Sequence, residues 1–151
     1  MEFQFKIQLF QTEAAESVVK VFAGQPNYGV SKYCRDVEKR KAQVTYEEQD
    51  AEFETGYRNA DIELTKEQLL KNIHEVQTVN NIKHSTELVA GLGAVSLDVE
   101  METGTGKTYA YIKTMFELYK TYGWSKFIVV VPSIAIREGV KKSFEMTQEH
   151  F

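Results

Sequence analysis

The residues Thr103-Gly-Thr-Gly-Lys-Thr108 combine the residue types that bind phosphate groups. Glycine at 104 and 106 allows a tight backbone turn in which several N–H groups approach phosphate oxygens, because no Cβ is in the way. Lys107 can then reach the β- and γ-phosphates of a nucleotide, and the Thr108 hydroxyl can bind Mg²⁺. The segment therefore predicts a site for ATP and Mg²⁺ in which Lys107 is also the catalytic cation.

The alternative is a glycine turn with an incidental lysine. Each fixed letter of the pattern T-G-x-G-K-T has a frequency of ~5–7%, so the string arises by chance on the order of once per 10⁶ positions. The strict pattern G-x-x-x-x-G-K-[ST] has glycine five places before Gly106, where this chain has Met101. The rest of the string outweighs this departure, and we favour the phosphate site.

Regular elements are predicted on both sides of this loop. Residues 95–101 alternate between apolar and polar side chains, which predicts a strand with one buried face. Residues 109–122 are apolar on most faces and predict a buried helix that Gly123 ends. The continuous apolar run 127–131 is typical of a parallel strand buried on both faces, and Pro132-Ser133 opens a second helix.

Two parallel strands joined by a helix form a βαβ unit, in which ligands bind at the carboxyl ends of the strands. The glycine loop follows the first of these strands. The sequence therefore predicts an α/β fold, with parallel strands and flanking helices.

The first half of the chain is less regular. Alternation over residues 3–9 predicts a strand, and Thr12 is a suitable N-cap for a helix that Gly24 and the residues after it end. A ragged hairpin over 44–57 would carry an acidic run, which we interpret as a solvated loop. Thr65-x-x-Gln68 is a capping box and predicts a helix over 66–79.

The composition excludes several classes of protein. The chain has 151 residues, of which 42% are hydrophobic and 26% charged, so disordered and collagen-like chains are excluded. No window approaches the roughly 20 apolar residues that span a bilayer, and no signal peptide precedes the first strand. The single cysteine favours a reducing compartment, and we expect a cytoplasmic protein without a membrane partner. The net charge of -4 argues against a dedicated basic nucleic-acid module, although a local site stays possible.

Two segments together resemble a known family. Met101-Glu-Thr-Gly-Thr-Gly-Lys-Thr108 and Val130-Val-Pro-Ser-Ile-Ala-Ile-Arg-Glu-Gly139 are similar to motifs I and Ia of superfamily 2 helicase-like motors. Among these motors, they most resemble the Res (restriction) subunits of type III restriction-modification enzymes. The first glycine of motif I is commonly replaced in helicase-like ATPases, as Met101 replaces it here. The resemblance is strongest over residues 95–151.

The resemblance implies a RecA-like ATPase domain in a motor that uses ATP and Mg²⁺ to act on double-stranded DNA. It also implies a nuclease domain and a modification (methyltransferase) partner subunit. Phe10-Gln11 is similar to the Q motif, so the resemblance makes Gln11 an adenine-binding residue. It likewise places Ser133 and Arg137 on the DNA backbone, although Ser133 also suits a helix N-cap and Arg137 could be a solvated surface charge. The implied nucleotide-binding set is Gln11, Thr103, Gly104, Thr105, Gly106, Lys107 and Thr108, with Thr108 as the metal ligand.

The resemblance also divides the chain. Residues 1–29 would form a strand and a helix that carries Gln11, residues 30–84 an insertion or hairpin plus a helix, and residues 85–151 the first part of the ATPase domain. The Walker B acid, the second motor domain and the nuclease carboxylates are missing from the sequence, so we expect an N-terminal part of a longer motor that is inactive alone. Two alternatives stay open: another superfamily 2 helicase or DNA repair motor, and a non-catalytic P-loop binding module.

Overall fold

The computed structural model describes residues 8–28, 59–91 and 93–148. Within these ranges the chain forms four α-helices, which are α1 Leu9–Val21, α2 Lys66–Val79, α3 Lys107–Tyr122 and α4 Ile134–Thr147. Helix α1 packs most extensively against α3 and also contacts α2, whereas α4 contacts α3. The first helix therefore joins the N-terminal part of the chain to the helix that follows the glycine loop. None of the helices in the described part has the length and apolar character needed to span a bilayer.

The helices predicted from local end signals are confirmed. The Thr65 hydroxyl accepts a hydrogen bond from the Gln68 N–H at 3.2 Å, and the Gln68 side chain accepts one from the Thr65 N–H at 2.8 Å, which completes the capping box of α2. Gly123 has a φ of 73° and its N–H donates to the Tyr119 carbonyl at 2.8 Å, which ends α3. The Ser133 hydroxyl caps α4 by accepting from the Ile136 N–H.

The start of α1 was predicted wrongly. Gln8 is its N-cap, and Thr12 lies within the helix. Leu9, at the end of the predicted strand over residues 3–9, is the first helical residue, and the rest of that strand falls mostly outside the described residues. The predicted hairpin over 44–57 also lies outside them. The predicted end of the helix is confirmed, because α1 ends at Val21 shortly before Gly24.

The prediction of a RecA-like α/β fold with parallel strands is wrong, because the described ranges contain helices and no strand. Residues 95–101 and 127–131 are irregular, and no backbone hydrogen bond joins them. Instead, the Ser96 N–H donates to the Val89 carbonyl at 2.7 Å. The Asn59 amide oxygen accepts from the N–H groups of Ser125 and Lys126 at 3.0 and 2.9 Å, just ahead of the second apolar run. Apolar patterning indicates which side chains favour burial, whereas a strand also needs a neighbour for its backbone groups.

The second apolar run also differs from the prediction in its exposure. Ile128 and Val130 are 92% and 87% exposed, although the sequence predicted a run buried on both faces. The alternation in the first segment is partly retained, since Val95 and Leu97 pack against the core.

The hydrophobic core lies where α1, α2 and α3 meet. Its buried members are Val21, Phe22, Leu69, Leu118, Tyr122 and Trp124. The rings of Phe22 and Trp124 meet edge to face with centroids 5.0 Å apart, which is a favourable aromatic geometry. The Tyr122 hydroxyl donates to the Val19 carbonyl at 2.9 Å and so ties α3 to α1. This core fixes the position of α1 relative to α3, on which the candidate site depends.

Candidate functional site

The glycine loop, residues 102–106, forms a tight turn in front of α3. The Thr105 N–H donates to the Glu102 carbonyl at 3.4 Å, and the Thr105 hydroxyl donates to the same carbonyl at 2.6 Å. Gly104 lies inside this turn with a φ of 84°. Because L side chains disfavour this conformation and glycine adopts it freely, the turn requires glycine at 104.

Gly106 is the N-cap of α3 and also has a φ of 84°. The Ala110 N–H donates to the Gly106 carbonyl at 3.0 Å, so α3 starts at Lys107. Among the described residues, no backbone carbonyl accepts from the N–H groups of Lys107 and Thr108. Unpaired amides at a helix N-terminus, together with the positive end of the helix dipole, favour the binding of an anion.

Within the first turn of α3 the charges also favour an anion, whereas the loop ahead of it carries the exposed carboxylate of Glu102. Lys107 is exposed, and none of the ion pairs among the described residues includes it. The first turn of α3 contains no acidic residue. The Tyr109 phenol in the same turn is uncharged at neutral pH, and burial raises its pKa further. The N-terminus of α3 thus presents free amides and a lysine without a nearby helical carboxylate.

Gln11 of α1 contacts the glycine loop directly. Its side-chain Nε2 donates to the Thr105 carbonyl at 2.9 Å in a partly buried position. A Cβ on Gly106 would meet the same Nε2 atom, so a larger residue at 106 would require the Gln11 side-chain amide to move. A Cβ on Gly104, by contrast, would meet nothing within 4 Å. Gly106 therefore accommodates the Gln11 amide as well as the backbone conformation, whereas Gly104 is needed for backbone conformation alone.

A cavity of about 500 Å³ lies beside the loop, between α1, α3 and the run 127–130. Most of its lining is apolar, including Met101 and Phe127, and Lys107 is the one charged residue among the described residues that line it. Phosphate groups bind to N–H groups and cations, and an apolar wall offers few of either. The surface suited to an anion is therefore formed by the loop and the first turn of α3.

Ser133 and Arg137 lie one helical turn apart at the exposed start of α4. The Ser133 hydroxyl oxygen acts as the N-cap, at 3.3 Å from the Ile136 nitrogen. The Arg137 guanidinium donates through Nε and Nη2 to the Glu138 carboxylate at 3.1 and 2.9 Å. Both residues thus have local partners that need no ligand, although a surface ion pair of this kind contributes little stability.

The structure brings Gln11 together with residues 103–108, as a common site would require, and places Ser133 and Arg137 on a separate helix. In the described part of the chain, no group of three or more His, Cys, Asp or Glu side chains could hold a metal ion. The role of Gln11 in holding the loop was missed. Gln11 and Thr105 are 94 positions apart, so no local pattern in the sequence indicates that they are in contact.

Other side-chain amides that hold distant segments were missed for the same reason. The buried Gln25 side chain donates to the Asp61 carbonyl at 3.0 Å and accepts from the Glu63 N–H at 2.9 Å. Asn72 of α2 donates to the carbonyls of Val21 and Ala23 at 2.9 Å each, where α1 ends. These hydrogen bonds hold the segment after α1 against the segment before α2 and against α2 itself.

Comparison with known proteins places the chain in a family. The family described as type III restriction enzyme, res subunit, matches residues 6–150. Since this match covers nearly the whole chain, the chain belongs to the family of type III restriction enzyme Res subunits. The resemblance inferred from motifs I and Ia is confirmed at this level.

Three curated relatives carry the name Type III restriction-modification enzyme Res subunit. The EcoPI subunit of Escherichia phage P1 is 43% identical over 95 residues, which cover 62% of this chain and 10% of the relative. The EcoP15I subunit of Escherichia coli is 42% identical over 95 residues, which again cover 62% of this chain and 10% of the relative. The StyLTI subunit of Salmonella typhimurium strain LT2 is 48% identical over 58 residues, covering 37% of this chain and 6% of the relative. The chain therefore matches about a tenth of the length of these relatives.

Proposed function

We propose that the chain is the ATP-binding part of an ATP-dependent restriction subunit and binds the nucleotide phosphates at the glycine loop. The observation that carries the proposal is the pair of glycines with φ of 84° directly ahead of a helix that begins with Lys107 and Thr108. This arrangement joins turned backbone, free amides, a helix dipole and an exposed lysine in one place. Its occurrence in a chain of the Res family supports ATP as the ligand.

Each residue of the proposed site has a distinct task. Residues 103–106 and the first turn of α3 offer backbone N–H groups to the phosphate oxygens, and Lys107 neutralises charge on the β- and γ-phosphates. The half-buried Thr108 hydroxyl follows Lys107 and is the group of this loop that suits Mg²⁺, since Mg²⁺ prefers oxygen ligands. When bound, the ion neutralises phosphate charge during transfer. The Gln11 side chain, which already contacts the loop, would also recognise adenine.

The partners follow from the family of the chain. We infer that double-stranded DNA and a modification (methyltransferase) subunit are the partners of a full-length Res protein that carries this sequence. Ser133 and Arg137 at the exposed start of α4 would contact the DNA backbone, with Arg137 exchanging its Glu138 partner for a phosphate. This exchange costs little, because the ion pair is exposed to solvent.

The proposal is tested by replacing the lysine. Lys107→Ala should weaken binding of ATP with Mg²⁺ to the chain by about 10- to 100-fold, the loss expected for one charge-assisted hydrogen bond of about 1.5–3 kcal/mol. Titration calorimetry measures the affinity, and circular dichroism checks that the helices are retained. In a full-length Res protein with this sequence, the same change should abolish ATP-dependent DNA cleavage.

Lys120→Ala is the matched control, because Lys120 is an exposed lysine at the opposite end of the same helix. It should leave the affinity for ATP unchanged. If Lys107→Ala and Lys120→Ala bind ATP equally well, the glycine loop is not the phosphate site.

A further inference from the structure

The hydrogen bond from Gln11 to Thr105 joins the glycine loop to a rigid scaffold. Gln11 lies in the first turn of α1, and α1 is held against α3 by the core and by the hydrogen bond from Tyr122 to Val19. The Thr105 carbonyl is therefore fixed by a packed helix that is distant in sequence.

Fixing this carbonyl also fixes the next amide group. The Thr105 C=O and the Gly106 N–H belong to one planar trans peptide unit and point in opposite directions. With the carbonyl directed at the Gln11 Nε2 atom, the Gly106 N–H is directed away from that side chain. Among the described residues, no backbone carbonyl accepts from it. A single side-chain contact thus sets the orientation of an amide at the cap of α3.

We propose that Gln11 is a positioning residue of the phosphate-binding loop. By holding the Thr105–Gly106 peptide unit, it aims the Gly106 N–H at the phosphates before the nucleotide arrives. This inference rests on the proposed ATP site. It gives Gln11 a second role beside adenine recognition, and this role affects phosphate binding whatever base is attached. A preorganised donor avoids the cost of ordering the loop when the ligand binds.

The close contact at Gly106 supports this role. The Gln11 amide occupies the space that a Cβ at 106 would need, whereas the space around Gly104 is open. Gln11 therefore lies against the backbone at the residue that starts the helix. A residue that only recognised adenine would need no contact with the backbone of the loop.

The test uses a ligand that has phosphates and no base. Inorganic tripolyphosphate and ATP, each with Mg²⁺, are titrated into the wild-type chain and into Gln11→Met, which keeps the length of the side chain and removes its donor. We expect the affinity for tripolyphosphate to fall by a factor of about five, as for the loss of one neutral hydrogen bond, and the affinity for ATP to fall by more, because its adenine contact is lost as well. If ATP binding falls and tripolyphosphate binding does not, Gln11 recognises only the base and the positioning role is refuted.

Gln77→Met is the matched control. Gln77 of α2 donates from Nε2 to the Ser85 hydroxyl at 2.8 Å and accepts from the Ser85 N–H at 3.0 Å, so this change removes two partly buried hydrogen bonds away from the loop and is the more severe of the two substitutions. It should leave both affinities unchanged, and an equal loss in Gln77→Met would mean that the effect is general destabilisation. A second measurement needs no ligand: amide hydrogen exchange at Thr105, whose N–H donates to the Glu102 carbonyl, should become faster in Gln11→Met and not in Gln77→Met.

Lys107→Ala separates the failure of this inference from the failure of the proposed function. If wild type and Lys107→Ala bind tripolyphosphate and ATP equally, the phosphate site itself is wrong and the positioning role is lost with it. If binding depends on Lys107 but both affinities are unchanged in Gln11→Met, the positioning role alone is refuted.

Discussion

Gly106→Ala should destabilise the chain more when Gln11 is present than when Gln11 is replaced by alanine. The φ of 84° at Gly106 costs any alanine about 1–2 kcal/mol of folding free energy. The new Cβ would also meet the Gln11 Nε2 atom and displace it from the Thr105 carbonyl, which removes a hydrogen bond worth about 1 kcal/mol. The total for Gly106→Ala is then about 2–3 kcal/mol.

The double mutant isolates the second contribution. In a Gln11→Ala chain the hydrogen bond is already absent and the space is open, so Gly106→Ala costs only the conformational part. The coupling energy between the two positions is therefore about 1 kcal/mol. Urea denaturation of the four proteins, followed by circular dichroism, measures it, and in a thermal melt 1 kcal/mol corresponds to a shift in Tm of about 2–4 °C for a chain of this size.

Gly104→Ala provides the internal control for this cycle. Gly104 has the same φ of 84°, but its Cβ would meet nothing within 4 Å. Its replacement should cost the conformational part alone and show no coupling to Gln11. A coupling at Gly106 below about 0.5 kcal/mol, or an equal coupling at Gly104, would refute the close contact between α1 and the loop.

Two further predictions concern α4 and α2. In a full-length Res protein, Arg137→Ala should weaken DNA binding about equally for all sequences and reduce the slope of log affinity against log salt by about 1; titrations at several salt concentrations measure this, and an unchanged slope would mean that Arg137 is only a surface charge beside Glu138. Thr65→Ala should lower the free energy of unfolding by about 1 kcal/mol in urea because it removes the cap of α2, whereas Thr65→Ser should retain most of it; equal stability of the two variants would contradict the capping role.

Helices were predictable here wherever their end signals are local. The capping box at Thr65 and Gln68 needs residues three positions apart, and the end of α3 needs only the left-handed glycine at 123. Thr12 misled the prediction for α1 because its residue type suits an N-cap, whereas the helix begins three residues earlier at the exposed Leu9. A preference for a cap is worth about 1 kcal/mol, and the hydrogen bond that the first turn makes through Gln11 to Thr105 is of similar size.

The strands could not be predicted in the same way. The alternation over 95–101 does place Val95 and Leu97 against the core, so the apolar pattern correctly indicated which side chains pack. It could not supply a backbone partner, and the N–H groups at Ser125 and Lys126 are satisfied by the Asn59 side chain. Side chains show where a segment favours burial, whereas a sheet depends on which backbone lies beside it.

The candidate site likewise has one part that local sequence predicts and one part that depends on packing. Residues 103–108 are contiguous, so the turn at Gly104 and the start of α3 at Lys107 follow from local backbone preferences. The support of the loop by Gln11 depends on how α1 packs against α3, which the core residues determine. If the positioning role holds, core substitutions that shift α1 should weaken phosphate binding without touching any residue of the loop. Part of the phosphate affinity of this site would then depend on the packing between α1 and α3, and the core residues that provide this packing belong to no phosphate-binding motif.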